Sequence, residues 1–164
     1  MKVVSLLFIT LAMLAEIPLA QAEDNTAQLT VTVTILLPPC DINNNQTIDV
    51  DFGNNVITTE VAQGVYEKPV NYTLDCSGMD TSRTLKMRIA GTGASFDNNV
   101  LKTSIASLGV KIKKNGADYP INSDISFASQ SDKPVFTAQL VQETGSRLPT
   151  GAFSAGATMT VDYQ

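Results

Sequence analysis

The stretch from Ala27 to Leu37 alternates large aliphatic residues with threonines, which is the strongest strand pattern in the sequence. Strict alternation of β-branched and polar residues predicts a β-strand with one apolar and one polar face. The apolar positions are Leu29, Val31, Val33 and Ile35, and the polar positions are Thr30, Thr32 and Thr34. Such a strand can pair with its own sheet or with another molecule, and this choice decides what the protein does.

The first 22 residues have the pattern of a secretory signal peptide. Lys2 gives a positive start, an apolar run follows from Val3 to Ala15, and Ala20-Gln21-Ala22 is a small-x-small cleavage site. The apolar run is short for a membrane span, which disfavours an uncleaved anchor. We therefore expect a signal peptide at 1–22, an N-terminal extension at 23–36 and a single domain at 37–164.

The composition argues against catalysis and against nucleic-acid binding. The chain of 164 residues has no histidine and a net charge of −5, and its Lys and Arg residues form no basic cluster. Without histidine, neither a Ser-His-Asp nor a Cys-His arrangement is possible. Asp49 and Asp51 could touch calcium, but an exposed strand face explains them better. We expect neither an enzyme nor a cofactor, a metal site or a small-molecule substrate.

Cys40 and Cys76 are the two cysteines. Behind a signal peptide, two cysteines predict one disulfide, because secreted proteins mature in an oxidising compartment.

Short alternating segments, separated by Gly, Asn and Pro turns, predict an all-β chain folded as an antiparallel β-sandwich. Asn115-Gly116 predicts a hairpin whose return strand begins with Tyr119 and Ile121. The stretch 94–107 reads as an irregular loop with a short edge strand. The other predicted strands are 48–52, 56–61 (a weaker pattern), 70–76, 85–89, 108–112, 135–141 and 155–164.

The mature chain resembles pilin subunits of the bacterial chaperone–usher pathway, in particular minor and adaptor subunits of P and type 1 pili. The motifs that carry the resemblance occur in family order behind the signal peptide. They are the alternating extension, Leu36-Leu37-Pro38-Pro39-Cys40, Asp49-Val50-Asp51-Phe52-Gly53, Leu74-Asp75-Cys76, Gly151 fourteenth from the end and Tyr163 next to last.

The resemblance implies an incomplete immunoglobulin-like β-sandwich that lacks its last strand and is completed by a donated strand. It implies that the extension donates Leu29, Val31, Val33 and Ile35 to a neighbouring pilin subunit. The acceptor groove and its C-terminal edge strand would include Gly151, Ala157, Met159, Val161, Tyr163 and Gln164.

The same resemblance implies the partners and the location. The partners would be a periplasmic chaperone, whose basic residues hold the carboxylate of Gln164, an outer-membrane usher and neighbouring pilin subunits. The protein would pass through the periplasm to a cell-surface fimbrium that supports adhesion.

Val33 departs from the family pattern, which usually has glycine seven residues before the first cysteine. Valine needs a deeper site in the acceptor or a register shifted by two residues, because a one-residue slip would turn the threonines inward.

Two alternatives remain open from the sequence. The first is a complete secreted β-sandwich whose first strand pairs with its own last strand. The second is an adhesive binding module, although the chain is too short for the additional lectin domain of family adhesins and has no tryptophan to stack on sugar rings.

Overall fold

The computed structural model describes residues 39–164, which form antiparallel β-sheets. The described helices include none that is both long and apolar enough to cross a membrane. The strands are β1 (Asp41–Ile42), β2 (Glu67–Val70), β3 (Leu74–Asp75), β4 (Leu85–Gly91), β5 (Gly93–Ala94), β6 (Asp97–Lys102), β7 (Leu108–Lys114), β8 (Ala117–Tyr119), β9 (Asp124–Phe127), β10 (Phe136–Gln142) and β11 (Ala157–Tyr163). One helical turn, α1 (Thr58–Val61), and two 3-10 turns, Asn43–Asn45 and Gln130–Asp132, complete the elements of residues 39–164.

The described strands form three sheets. The largest sheet has the order β2-β10-β7-β6-β5, with β8 also paired to β7. A second sheet has the order β11-β4-β9, and β1 pairs with β3 in a two-stranded ribbon. The all-β antiparallel prediction is therefore confirmed.

The core consists of the alternate residues of the longest strands. β4 buries Leu85, Met87 and Ile89, while Lys86 and Arg88 between them are more exposed. β7 and β10 show the same alternation, and their inward residues join one apolar cluster with those of β4. Period-two burial of this kind is what places one face of each strand on the core.

The predicted hairpin is present between β7 and β8. Asn115 and Gly116 both have positive φ, of 50° and 84°, as a two-residue turn between strands requires. The return strand ends at Tyr119, before Pro120, so Ile121 is buried but lies outside it. A proline cannot donate a hydrogen bond to the sheet, which explains this earlier end.

The strand predicted at 48–52 is wrong as a sheet strand. Ile48, Val50 and Phe52 are half-buried, and Asp49 and Asp51 are exposed, so the predicted alternation of faces is present. Among the described residues, however, this segment pairs with no strand. Alternation reports which side of a segment is apolar, but it does not report whether another strand lies alongside.

The strand predicted at 56–61 is also wrong, because α1 occupies Thr58–Val61. The Tyr66 hydroxyl accepts a hydrogen bond from the Ile57 N–H and donates one to the Glu60 carboxylate. Val61 is 2% exposed. These tertiary contacts outweigh the modest preference of threonine and valine for extended backbone.

The strand predicted at 70–76 is divided between two sheets. β2 ends at Val70 and pairs with β10, whereas β3 starts at Leu74 and pairs with β1. The buried side chains of Tyr72, Leu74 and Cys76 continue the alternation across the change of sheet. The sequence pattern therefore reads as one strand where the structure has two.

The region predicted as an irregular loop with a short edge strand, 94–107, contains the six-residue strand β6, which lies between β7 and β5 and is not at the edge of its sheet. β6 pairs with β7 through Leu101 and Lys102.

The sequence pattern also misses β9, which pairs with β4 along Leu85–Arg88. β9 has only two inward residues, Ile125 and Phe127, which is too short an alternation to recognise from the sequence.

Candidate functional site

The disulfide between Cys40 and Cys76 joins the start of the described chain to the end of β3. The two Cα atoms are 4.1 Å apart, and both cysteines are buried. β1 and β3 pair beside the bond, with Asp41 opposite Asp75 and Ile42 opposite Leu74. The predicted disulfide is confirmed, and it holds the segment that follows Cys40 at a defined place in the fold.

A groove of about 890 Å³ runs between this segment and β11. One wall is formed by residues 45–50 and Phe52, and the opposite wall by residues 153–162. The floor contains apolar side chains from both larger sheets. They are Val70, Ile89, Leu101, Val110, Ile112 and Ala138. The groove therefore reaches the hydrophobic core.

β11 is an edge strand within the described part of the chain, where it pairs with β4 alone. Tyr163 lies opposite Leu85, and the Gln164 N–H donates to the Thr84 carbonyl at 2.8 Å. In an antiparallel ladder the hydrogen-bonded and non-hydrogen-bonded pairs alternate. Residues 158, 160 and 162 therefore direct their backbone groups toward β4, and the odd-numbered residues of β11 direct theirs away from it.

Three of the predicted acceptor residues lie in the groove. Ala157, Met159 and Val161 line it, with Val161 buried and Met159 half-buried. Their backbone N–H and C=O groups are those that point away from β4. Each of these residues thus contributes to this side of β11 an apolar side chain together with backbone groups that no described strand pairs with.

Tyr163 and Gln164 lie past the end of the groove lining. The Tyr163 hydroxyl accepts a hydrogen bond from the Asp80 N–H at 2.9 Å, and the Arg83 guanidinium lies 4.3 Å from the centre of its ring. The Gln164 side-chain oxygen accepts from the Ser126 hydroxyl at 2.9 Å. These contacts hold the last two residues against the sheet that contains β4.

Gly151 lies outside the groove lining, in the loop before β11. Its φ of +135° is in the region that favours glycine, and a Cβ built there would meet nothing within 4 Å. Backbone conformation, and not lack of space, therefore explains glycine at this position.

The predicted donor residues Leu29, Val31, Val33 and Ile35 lie outside the described residues, as do the expected signal peptide and extension.

Sequence reasoning did not identify the residues of the groove floor or of its aromatic end. Phe52 and Phe153 approach each other there, with ring centroids 6.1 Å apart. Alternation in β7 and β10 marks Val110, Ile112 and Ala138 as inward-facing. No sequence signal separates inward residues covered by a neighbouring element from those that line a groove.

A second cavity, of about 820 Å³, contains the polar side chains Lys111, Gln139 and Gln142. Lys111 forms an ion pair with Asp118 at 2.8 Å, and the Gln139 amide donates to the Gly64 carbonyl at 2.7 Å. The Gln142 amide donates to the Ser146 carbonyl. These groups already have protein partners, and the described residues contain no cluster of three or more His, Cys, Asp or Glu that could hold a metal.

Comparison with known proteins identifies the family. The family model described as "Fimbrial protein" matches residues 27–164. The uncharacterised fimbrial-like protein YfcR of Escherichia coli K12 is 35% identical over 133 residues, which is 77% of this chain and 74% of YfcR. The fimbrial adapter PapF of Escherichia coli is 32% identical over 111 residues, which is 66% of this chain and 58% of PapF.

Solved structures agree with this assignment. The P pilus adaptor subunit PapF has a TM-score of 0.57 and 26% identity, over 80% of this chain and 100% of that one. The P pilus rod subunit PapA has a TM-score of 0.58 and 19% identity, over 84% of this chain and 100% of that one, and shows the same fold. The resemblance to pilins is confirmed, and with it the prediction of a structural protein. The chain belongs to the fimbrial protein family, whose members build fimbriae and are not enzymes.

Proposed function

We propose that this protein is a fimbrial subunit that both accepts and donates a β-strand. It accepts a strand from another protein in the groove beside β11. It donates its own extension, residues 23–36, to the groove of a neighbouring subunit.

One observation carries the acceptor role. Ala157, Met159 and Val161 line the groove with their side chains and direct their backbone groups away from β4. A strand laid along β11 would gain ladder hydrogen bonds and would insert alternate side chains above the core at the same time. This is the geometry of β-augmentation at an open sheet edge.

The donor role is supported by the alternation of residues 29–35. Four aliphatic side chains, fully buried, stabilise an assembly by roughly 1.5–3 kcal/mol each. Ladder hydrogen bonds add roughly 0.5–1.5 kcal/mol apiece. Ordering the extension offsets part of this gain, and most affinity differences between related complexes are in the dissociation rate. We expect the assembled subunit to dissociate very slowly.

The partners and the location follow from this function. An uncovered groove that reaches apolar core is a hazard for aggregation, so a periplasmic chaperone would cover it before assembly. An outer-membrane usher and neighbouring subunits would then receive the protein into a cell-surface fimbrium. An adaptor position in the fimbrium is supported by the similarity to PapF, which is named as an adaptor subunit.

Moving the extension to the other end of the chain tests the acceptor role. In the rearranged protein the chain starts at Leu37, and residues 24–36 follow Gln164 through a short flexible linker. A strand that follows β11 through a short linker runs back along it in the antiparallel direction. We expect this protein to melt at a clearly higher temperature than the chain from Glu23 to Gln164, and to aggregate less.

The matched control is the same rearranged protein with Val31→Asp and Val33→Asp. It should lose the gain in melting temperature, because two carboxylates would face the apolar floor. Equal melting of all three proteins as well-behaved monomers would contradict the proposal and favour a complete secreted β-sandwich.

A further inference from the structure

The wall of the groove opposite β11 is acidic. Asp49 belongs to it, Asp51 lies within its sequence, and Asp41 precedes it by four residues. Lys68 is the first Lys or Arg after Cys40. Asp41, Asp49 and Asp162 line the groove itself, and its described lining contains no Lys or Arg.

The charges of this wall are not balanced by ion pairs of the described residues. The three ion pairs found among the described residues use the carboxylates of Asp124, Asp118 and Glu67, which are not part of the wall. Asp41 lies opposite Asp75 in the β1–β3 ribbon, which brings a second carboxylate to it. On the other wall, Asp162 lies opposite Lys86 of β4, and this pair is not among the ion pairs of the described residues.

The alternation of the wall places its charges on the outer side. Ile48, Val50 and Phe52 are half-buried, whereas Asp49 and Asp51 are exposed. A strand lying between this segment and β11 would point one set of side chains at the floor. Its other set would face outward beside Asp49 and Asp51, at the separation of neighbouring strands, where directly opposite Cβ atoms are about 5 Å apart.

We infer that the groove selects a donor strand that carries Lys or Arg at its outward-facing positions and disfavours one that carries Asp or Glu. This inference rests on the proposed acceptor role. The extension of this chain has Thr30, Thr32 and Thr34 at the corresponding positions. Its own extension is therefore not the occupant matched to this groove, and the matched occupant is the basic-faced extension of a different subunit.

Three fluorescent peptides that share the inward residues of 27–36 test the inference on the mature chain, Glu23–Gln164. One peptide keeps the three threonines, the second carries Thr30→Lys, Thr32→Lys and Thr34→Lys, and the third carries glutamate at those positions. Association rates are measured at about 0.01 M and about 1 M salt, where the Debye length is about 30 Å and about 3 Å. We expect the lysine peptide to associate about tenfold faster than the glutamate peptide at low salt, and at a similar rate at high salt.

Two protein variants locate the effect. Asp49→Asn with Asp51→Asn should reduce the difference between the two charged peptides severalfold. Asp97→Asn with Asp132→Asn makes the same change of net charge at residues outside the groove lining and should preserve it. Asp51 and Asp97 both accept the N–H two residues ahead through one carboxylate oxygen, which asparagine can also do.

The outcomes separate the two proposals. If the threonine peptide binds but the lysine and glutamate peptides associate at equal rates at low salt, the charge preference is wrong and the acceptor role stands. If none of the three peptides binds, the acceptor role is overturned, and the charge preference with it.

Discussion

Tyr72 illustrates how burial changes the chemistry of a single residue. Its hydroxyl donates to the Pro134 carbonyl at 2.5 Å, and its ring packs against Phe136 in the core. Burial raises the pKa of the Tyr72 phenol to about 12, because the phenolate would lose its hydration. The folded state therefore holds this proton at pH values where the unfolded chain releases it.

The Tyr72 pKa predicts a specific loss of stability at alkaline pH. The contribution of this phenol is fully present below pH 10 and is lost as the pH rises from 10 to about 12. Tyr72→Phe should remove that part of the slope of unfolding free energy against pH. It should also lower stability below pH 10 by about 1 kcal/mol, because the hydrogen bond to Pro134 is lost. Denaturant unfolding of both proteins between pH 10 and about 12 measures the free energy of unfolding. Parallel curves of this free energy against pH for the two proteins would contradict the prediction.

Gly151 allows a test of backbone conformation alone. Gly151→Ala should destabilise the protein by about 1–3 kcal/mol, because alanine is strained at a φ of +135° although its Cβ has space. Gly78→Ala is the matched control, since Gly78 also has free space around it and no positive φ. Thermal unfolding of the two variants compares them directly, and equal effects would show that conformation is not the reason for glycine at 151.

At the scale of elements, the alternating patterns of β4, β7, β10 and β11 predicted both the strands and their buried faces. The patterns failed where the backbone partner decides the outcome. Residues 48–52 keep the alternation without a described sheet partner, and 56–61 forms α1 because Tyr66 and Glu60 hold the turn. A strand pattern describes side chains, whereas a strand also needs a neighbour for its backbone groups.

The disulfide between the end of β3 and the start of the described chain is expected to have a large effect on the stability of the fold. Cys40 and Cys76 are 36 residues apart in sequence, so the bond closes a substantial loop in the unfolded chain. On the chain-entropy model, Cys40→Ser with Cys76→Ser should lower the free energy of unfolding by about 3–4 kcal/mol. Denaturant titration with and without reductant measures this loss in the free energy of unfolding. The reductant should reproduce the loss in the wild-type protein and leave the double variant unchanged, and a loss below about 1 kcal/mol would contradict the model.

At the scale of the whole molecule, the assembly that we propose depends on two separate parts of the chain, the groove and the extension. Val31→Asp with Val33→Asp should leave chaperone binding intact, because the groove is unchanged. It should block donation to the next subunit, because charged side chains would have to enter an apolar groove. Recovery of the chaperone complex and incorporation into fimbriae are measured side by side.

The control for this variant is Thr30→Asn with Thr32→Asn, which changes only the outward-facing side of the extension and should assemble normally. Fimbriae that contain the aspartate variant at the normal level, with further subunits attached through its extension, would contradict the donor role.

The sequence by itself determined the antiparallel β class, the disulfide, the hairpin at Asn115-Gly116 and the fimbrial family, because these depend on local patterns and on motif order. The tertiary structure alone decided which apolar faces are left uncovered by the described residues. The groove joins residues from 40 to 162, and its floor belongs to strands of two sheets. The sequence pattern did not predict the acidic wall either, because only the packing of the fold places Asp49 and Asp51 across the groove from β11. Such proximity arises from packing between segments distant in sequence, which alternation within one segment does not report.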